Sequence, residues 1–103
     1  MSDRALSMPA DDLIARLEAA TEGGAVNDVY IELAIHGRAT RDPPVPHYTT
    51  SLDAALPDER IIKTEIDAQG WHATALAVDG RSVYGFGRTE ALARRIAALK
   101  ARS

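Results

Sequence analysis

Three histidines, His36, His47 and His72, are where metal or acid–base chemistry would first be sought, and their positions work against it. They are too dispersed to pair at helical or strand spacing, so a metal site would need acidic ligands brought in by the fold. No metal and no cofactor is expected. Thr50 and Ser51 stand at the start of a candidate helix, where a hydroxyl caps backbone N–H groups, and nothing marks a histidine base beside them. The carboxylate pairs Asp11-Asp12 and Asp58-Glu59 fall at a helix start and in a loop, where such groups are solvated or stabilise the helix dipole. No residue is assigned a catalytic role, and the chain reads as a non-enzyme.

Binding chemistry has two candidate seats. Six cations, Arg81, Arg88, Arg94, Arg95, Lys100 and Arg102, crowd the last 24 residues against one carboxylate, a net charge of +5. The first 79 residues hold 6 basic and 14 acidic side chains, net −8. Such asymmetry either docks the C-terminal segment on the rest or offers a basic face to an anion, with Arg81, Arg88, Arg94 and Arg95 as anion or nucleic-acid contacts. Gly85-Phe86-Gly87-Arg88-Thr89 has the composition of a phosphate-binding turn, but the full glycine fingerprint is missing, and the glycines equally give a helix clearance over a sheet. The second seat is the proline-rich stretch, where Tyr48, Pro44 and Pro46 are the candidate partner contacts. Loops carry binding surfaces, and tyrosine gives contact area at low entropy cost. The competing role for Tyr48 is packing.

These residues must be carried by one domain, because 103 residues suit a single core. At 46% hydrophobic and 26% charged the chain has a globular composition, and with few aromatics its core is aliphatic and alanine-built. Absence of cysteine rules out disulfides, thiolate zinc sites and cysteine nucleophiles, and suits a reducing compartment. No run approaches the roughly 20 apolar residues of a membrane span, and no secretory signal is seen, so a cytoplasmic protein without a membrane partner is expected.

Residues 9–20 predict a helix: Pro9 suits its first turn, Asp11 and Asp12 its positive end, and Leu13, Ile14, Leu17 and Ala20 share a face. Gly23-Gly24 ends it. In residues 28–36, Val29, Ile31, Leu33 and Ile35 alternate as in a strand, while Asn27 as a cap and Gly37 as a stop fit a helix; periodicity leaves both open. Residues 38–49 form an irregular connection, and 50–56 a short helix capped by Thr50 or Ser51 and stopped by Pro57. Strands are predicted over Ile61–Asp67, Trp71–Val78 and Arg81–Phe86, with Asp79-Gly80 as a two-residue hairpin turn needing φ > 0 at both positions. In the middle strand Trp71, Ala73, Ala75 and Ala77 face one way, so a helix can approach closely there. A last helix starts at the cap Thr89, with Leu92, Ile96 and Leu99 on one face. The fold class is therefore α+β: helices packed on a small antiparallel three-stranded β-sheet, the C-terminal helix following the meander.

Three segments carry a family resemblance: Asp12-Leu13-Ile14-Ala15-Arg16-Leu17-Glu18-Ala19-Ala20-Thr21, then Tyr48-Thr49-Thr50-Ser51-Leu52-Asp53-Ala54-Ala55-Leu56, and residues 89–102. In order and spacing the chain resembles the phage ABA (alpha-beta-alpha) sandwich family, the second segment being the most specific. The resemblance favours helix for residues 28–36 and implies a small phage or prophage protein with no catalytic residues to carry over. The chain departs from the family where the charged stretch Arg60–Asp67 intervenes between Leu56 and Trp71.

The expected function is a non-catalytic protein-interaction or accessory module in the bacterial cytoplasm, with inhibition of a host defence complex as a special case. The alternative is a nucleic-acid-binding module using the basic C-terminal helix, since helix, three strands, helix is similar to the order in double-stranded RNA-binding domains. An exposed meander edge would also permit a homo-oligomer, although Lys63 and Glu65 would protect the first strand if it lies at the edge.

Overall fold

A computed structural model describes residues 9–37 and 45–102. Its element order is α1 (Ala10–Ala19), α2 (Ala25–His36), β1 (Ile61–Ile66), β2 (Trp71–Leu76), β3 (Ser82–Gly87) and α3 (Glu90–Arg102). This is the α+β arrangement expected, with the strands in the order β1-β2-β3, all antiparallel. Among the described residues no helix is long and apolar enough to cross a membrane.

The ambiguous second segment is helical. Gly24 enters it in an extended conformation, and Gly37 leaves it in the left-handed region at φ 75°, its N–H bonded to the Leu33 carbonyl, a helix stop that glycine favours. Asn27 is not its cap: it lies inside the first turn, where its Oδ1 accepts from Arg16 Nε at 2.6 Å. The apolar alternation that mimicked a strand arises because Ile31 and Leu33 are both buried while Asp28 and Glu32, one turn apart, are buried beside them. Their carboxylates are held by the segment that follows the proline-rich stretch.

That segment is not the expected short helix. Residues 48–59 run as turns, because their backbone carbonyls serve a side chain from α3 instead of a helical ladder. Arg95 Nε donates to the Tyr48 carbonyl at 3.0 Å, and its Nη2 donates to those of Ser51 and Leu52, each at 2.8 Å. The meander also departs in detail. Only Gly80 (φ 90°) has positive φ at the second hairpin, where Gly80 N–H bonds the Ala77 carbonyl and Ala77 N–H the Arg81 carbonyl. The loop is thus three residues long, a tight turn closed by a left-handed glycine, instead of the two-residue turn that Asp79-Gly80 suggests.

Helix α3 lies at the centre of the molecule, with eight of its thirteen residues buried. One side meets the sheet through Ala93 and Ala97, against Ala73 and Ala75. The approach is so close that a Cβ on Gly85 would lie 2.4 Å from the Ala97 amide nitrogen, and one on Gly87 2.6 Å from that of Ala93. The opposite side packs Leu92, Ile96 and Leu99 against Leu13, Ile14, Leu17, Ile31, Tyr48 and Leu56. Thr89 caps it, Oγ1 accepting from Leu92 N–H at 3.2 Å. With the described helices on one side only, the other face of the sheet, bearing His72, Thr74, Leu76, Tyr84 and Phe86, has no buried side chain among the described residues.

Candidate functional site

Tyr48 is only 3% exposed, and its hydroxyl donates to Glu32 Oε1 at 2.7 Å. Burial and the Glu32 carboxylate push its ionisation well above the ordinary value near 10. The expectation of a partner contact at Tyr48 is therefore corrected: its ring fills the core and its hydroxyl satisfies a buried carboxylate. Pro46 is exposed, and Pro44 lies outside the described residues. Beside Tyr48, Asp28 Oδ1 accepts from both the amide (2.8 Å) and the hydroxyl (2.7 Å) of Thr49, while Gly24 N–H donates to Thr49 Oγ1 at 2.8 Å. Two carboxylates one helical turn apart thereby grip two successive residues, Tyr48 and Thr49.

Arg95 is the other surprise. It is fully buried, paired with the Glu59 carboxylate and bonded to three carbonyls, which removes it from any nucleic-acid surface. Burial lowers its pKa and the Glu59 charge opposes that shift. The remaining cations of the basic cluster are mostly spent within the molecule: Arg94 on Glu90, Arg81 on Asp79, Lys100 on Glu18 and Arg102 on Asp58. Among the described residues Arg88 alone of the six has no carboxylate partner; it is exposed, with its guanidinium 5.8 Å from the centre of the Phe86 ring. Arg95, Lys100 and Arg102 thus join the C-terminal helix to carboxylates of the acidic body. Gly85 and Gly87 give α3 its clearance, which accounts for the turn that resembled a phosphate loop.

Each histidine sits by a carboxylate: His36 3.8 Å from Glu32, His47 3.9 Å from Asp28 and His72 2.8 Å from Asp67. Asp67 is held below the usual carboxylate range, chiefly by the Gln69 backbone N–H, with His72 assisting. Among the described residues no group of three or more such side chains could hold a metal ion, and no buried side-chain polar atom lacks a partner. The interior network fixes the turns of residues 48–59 against α2 and α3.

What remains open is the outer face of the sheet. Tyr84 is 66% exposed there, and Phe86 follows two residues on, its ring 5.2 Å from that of His72. Leu76, across from Ser82 in the register, continues this surface toward a cleft of about 550 Å³ bordered by Pro57, Arg60, Val78 and Arg102. The aromatic residues point outward because the intervening Gly85 is pressed against α3. Tyr84 and Phe86 were not singled out as site residues by the sequence, although Tyr84-Gly85-Phe86-Gly87 contains the signal: alternating glycines mark the helix-facing side, and the aromatics between them must face away. The chain matches no family model, no curated protein and no solved structure, so the resemblance to the phage family rests on the three segments quoted above.

Proposed function

We propose that the chain is a non-catalytic binding module that takes a protein partner on the outer face of its sheet, centred on Tyr84 and Phe86. One observation carries this: a tyrosine two-thirds exposed on a strand whose glycines are locked against α3, a rigid aromatic of the kind that anchors interfaces. Arg88, lacking a carboxylate, defines the chemistry of the partner as apolar side chains with an acidic group beside them. The resemblance of the three segments supports a phage or prophage setting, with a partner in the bacterial cytoplasm and a host defence complex as the special case.

A second reading is supported by the same pair of rings, since aromatics two residues apart on an open sheet are a stacking platform for single-stranded nucleic acid. Against it, five of the six C-terminal cations are already paired with carboxylates, which leaves little of the phosphate attraction that such binding needs. Less supports a nucleic-acid contact through the C-terminal helix, eight of whose thirteen residues are buried. The test is capture from host lysate by the wild type and by Tyr84→Ser, with and without nuclease. A protein retained through nuclease treatment by the wild type and lost by the variant, at unchanged melting, supports the proposal. Equal retention by both refutes it, and recovery that collapses with nuclease transfers the face to nucleic acid.

A further inference from the structure

Among the described residues no strand pairs with the outer edge of β1, and its side-chain pattern complements itself. Ile62 and Ile66 are 58% and 64% exposed, although both are large aliphatics. Lys63 and Glu65, also exposed, lie 3.5 Å apart. Ile66 pairs with Trp71, Glu65 with His72, Thr64 with Ala73 and Lys63 with Thr74. Asp67 N–H closes the hairpin on the Gly70 carbonyl at 2.9 Å. Hydrogen-bonded residues alternate along an antiparallel strand, so residues 63, 65 and 67 turn their backbone groups toward β2, and Thr64 and Ile66 turn theirs to the open side.

We propose that this edge binds a second copy of the chain, β1 against β1 in antiparallel orientation, forming a six-stranded sheet about a two-fold axis. Across such a junction outward-turned residues oppose outward-turned ones, and the residues turned toward β2 oppose their like, which restricts the register to steps of two. Shifted one way, Lys63 faces Lys63 of the second copy; shifted the other, Glu65 faces Glu65. The register between them places Thr64 opposite Thr64, so that Lys63 faces Glu65 twice and Ile62 lies across from Ile66 twice. Opposite charges directly across a pair of strands stabilise it and like charges oppose it, so β1 selects one register out of three. Lys63 and Glu65 lie on the same face of the strand, as their pairing with Thr74 and His72 requires, and two such pairs therefore form on that face. The bulge between Ile61 and Lys63 ends the regular ladder and limits the junction to this short stretch. This proposal is independent of the partner assigned to Tyr84, and it leaves that face open while placing two copies of it on one continuous sheet.

Sedimentation equilibrium of the full chain, from micromolar to near-millimolar concentration, tests it. The wild type is expected to dimerise, and Lys63→Glu and Glu65→Lys are each expected to weaken dimerisation by about tenfold or more, with unchanged far-UV circular dichroism. The double variant Lys63→Glu/Glu65→Lys restores the dimer, and mixing the two single variants yields a heterodimer, because each then carries the charge the other lacks. A wild type that stays monomeric across the range overturns the proposal. So do single variants that dimerise as well as the wild type, or a charge swap that fails to restore association.

Discussion

Replacing Arg95 with methionine keeps the length and apolar stem of the side chain while deleting its charge and donors, and the structure sets the expected cost. The Glu59 carboxylate, whose side chain is 4% exposed, would keep the Leu56 N–H on Oε1 and lose its cation on Oε2. The carbonyls of Tyr48, Ser51 and Leu52 would each lose a donor. Breaking a buried pair by removing one partner costs about 3–5 kcal/mol, a large share of the roughly 5–15 kcal/mol that holds a domain together. Urea unfolding, followed by circular dichroism and by the fluorescence of Trp71, the sole tryptophan, should show that loss. The melting point should fall by at least roughly 12 °C, taking the lower end of the cost and roughly 4 °C per kcal/mol for a domain of this size. Adding Glu59→Gln should recover part of it by removing the stranded charge, whereas Arg95→Lys should rescue little, since an ammonium cannot reproduce a fork shared among four acceptors. A loss for Arg95→Met under about 1 kcal/mol, or strictly additive effects of the two substitutions, would refute the reasoning that this guanidinium organises residues 48–59.

Gly85→Ala puts a Cβ within 2.6 Å of the Ala93 carbonyl oxygen, so α3 must lift from the sheet, at about 1–3 kcal/mol or more in urea unfolding. Tyr48→Phe leaves Glu32 short of a donor and should cost about 1–3 kcal/mol at neutral pH. Because folding raises the Tyr48 pKa, its stabilisation is complete below the ordinary tyrosine value of 10.0 and is lost as pH rises above it. The wild type should therefore lose more stability than Tyr48→Phe between neutral pH and about pH 10.5, and equal losses would contradict the assignment. Thr89→Ala removes the cap of α3 and should cost about 0.5–2 kcal/mol by thermal melting.

Much of this architecture can be read from local pattern. The alternation Ala73, Ala75, Ala77 announces a small-residue face, and Gly85 and Gly87 on the neighbouring strand extend it, so the close seat of α3 follows from residue types alone. The interior network resists such reading because its members look like surface residues. Asp28 and Glu32 stand at the i, i+4 spacing of solvated charges, and Arg95 belongs to a basic run. Arg95 nevertheless falls among Leu92, Ile96 and Leu99 on the buried side of the helical wheel, the one local sign of its burial. Residues 50–56 carry good helical and capping signals, yet the carbonyls a helix would consume are claimed by that arginine from 43 and more residues away. Short-range propensity is overridden by a long-range donor that the sequence does not place.

A photo-crosslinking side chain placed at Tyr84, compared with one at Leu52, which is also exposed but lies outside the sheet, tests the assignment of the outer face most directly. The account predicts a nuclease-resistant protein adduct in host lysate from position 84 and none of the same identity from position 52. The same adduct from both positions, or none from position 84, would contradict it.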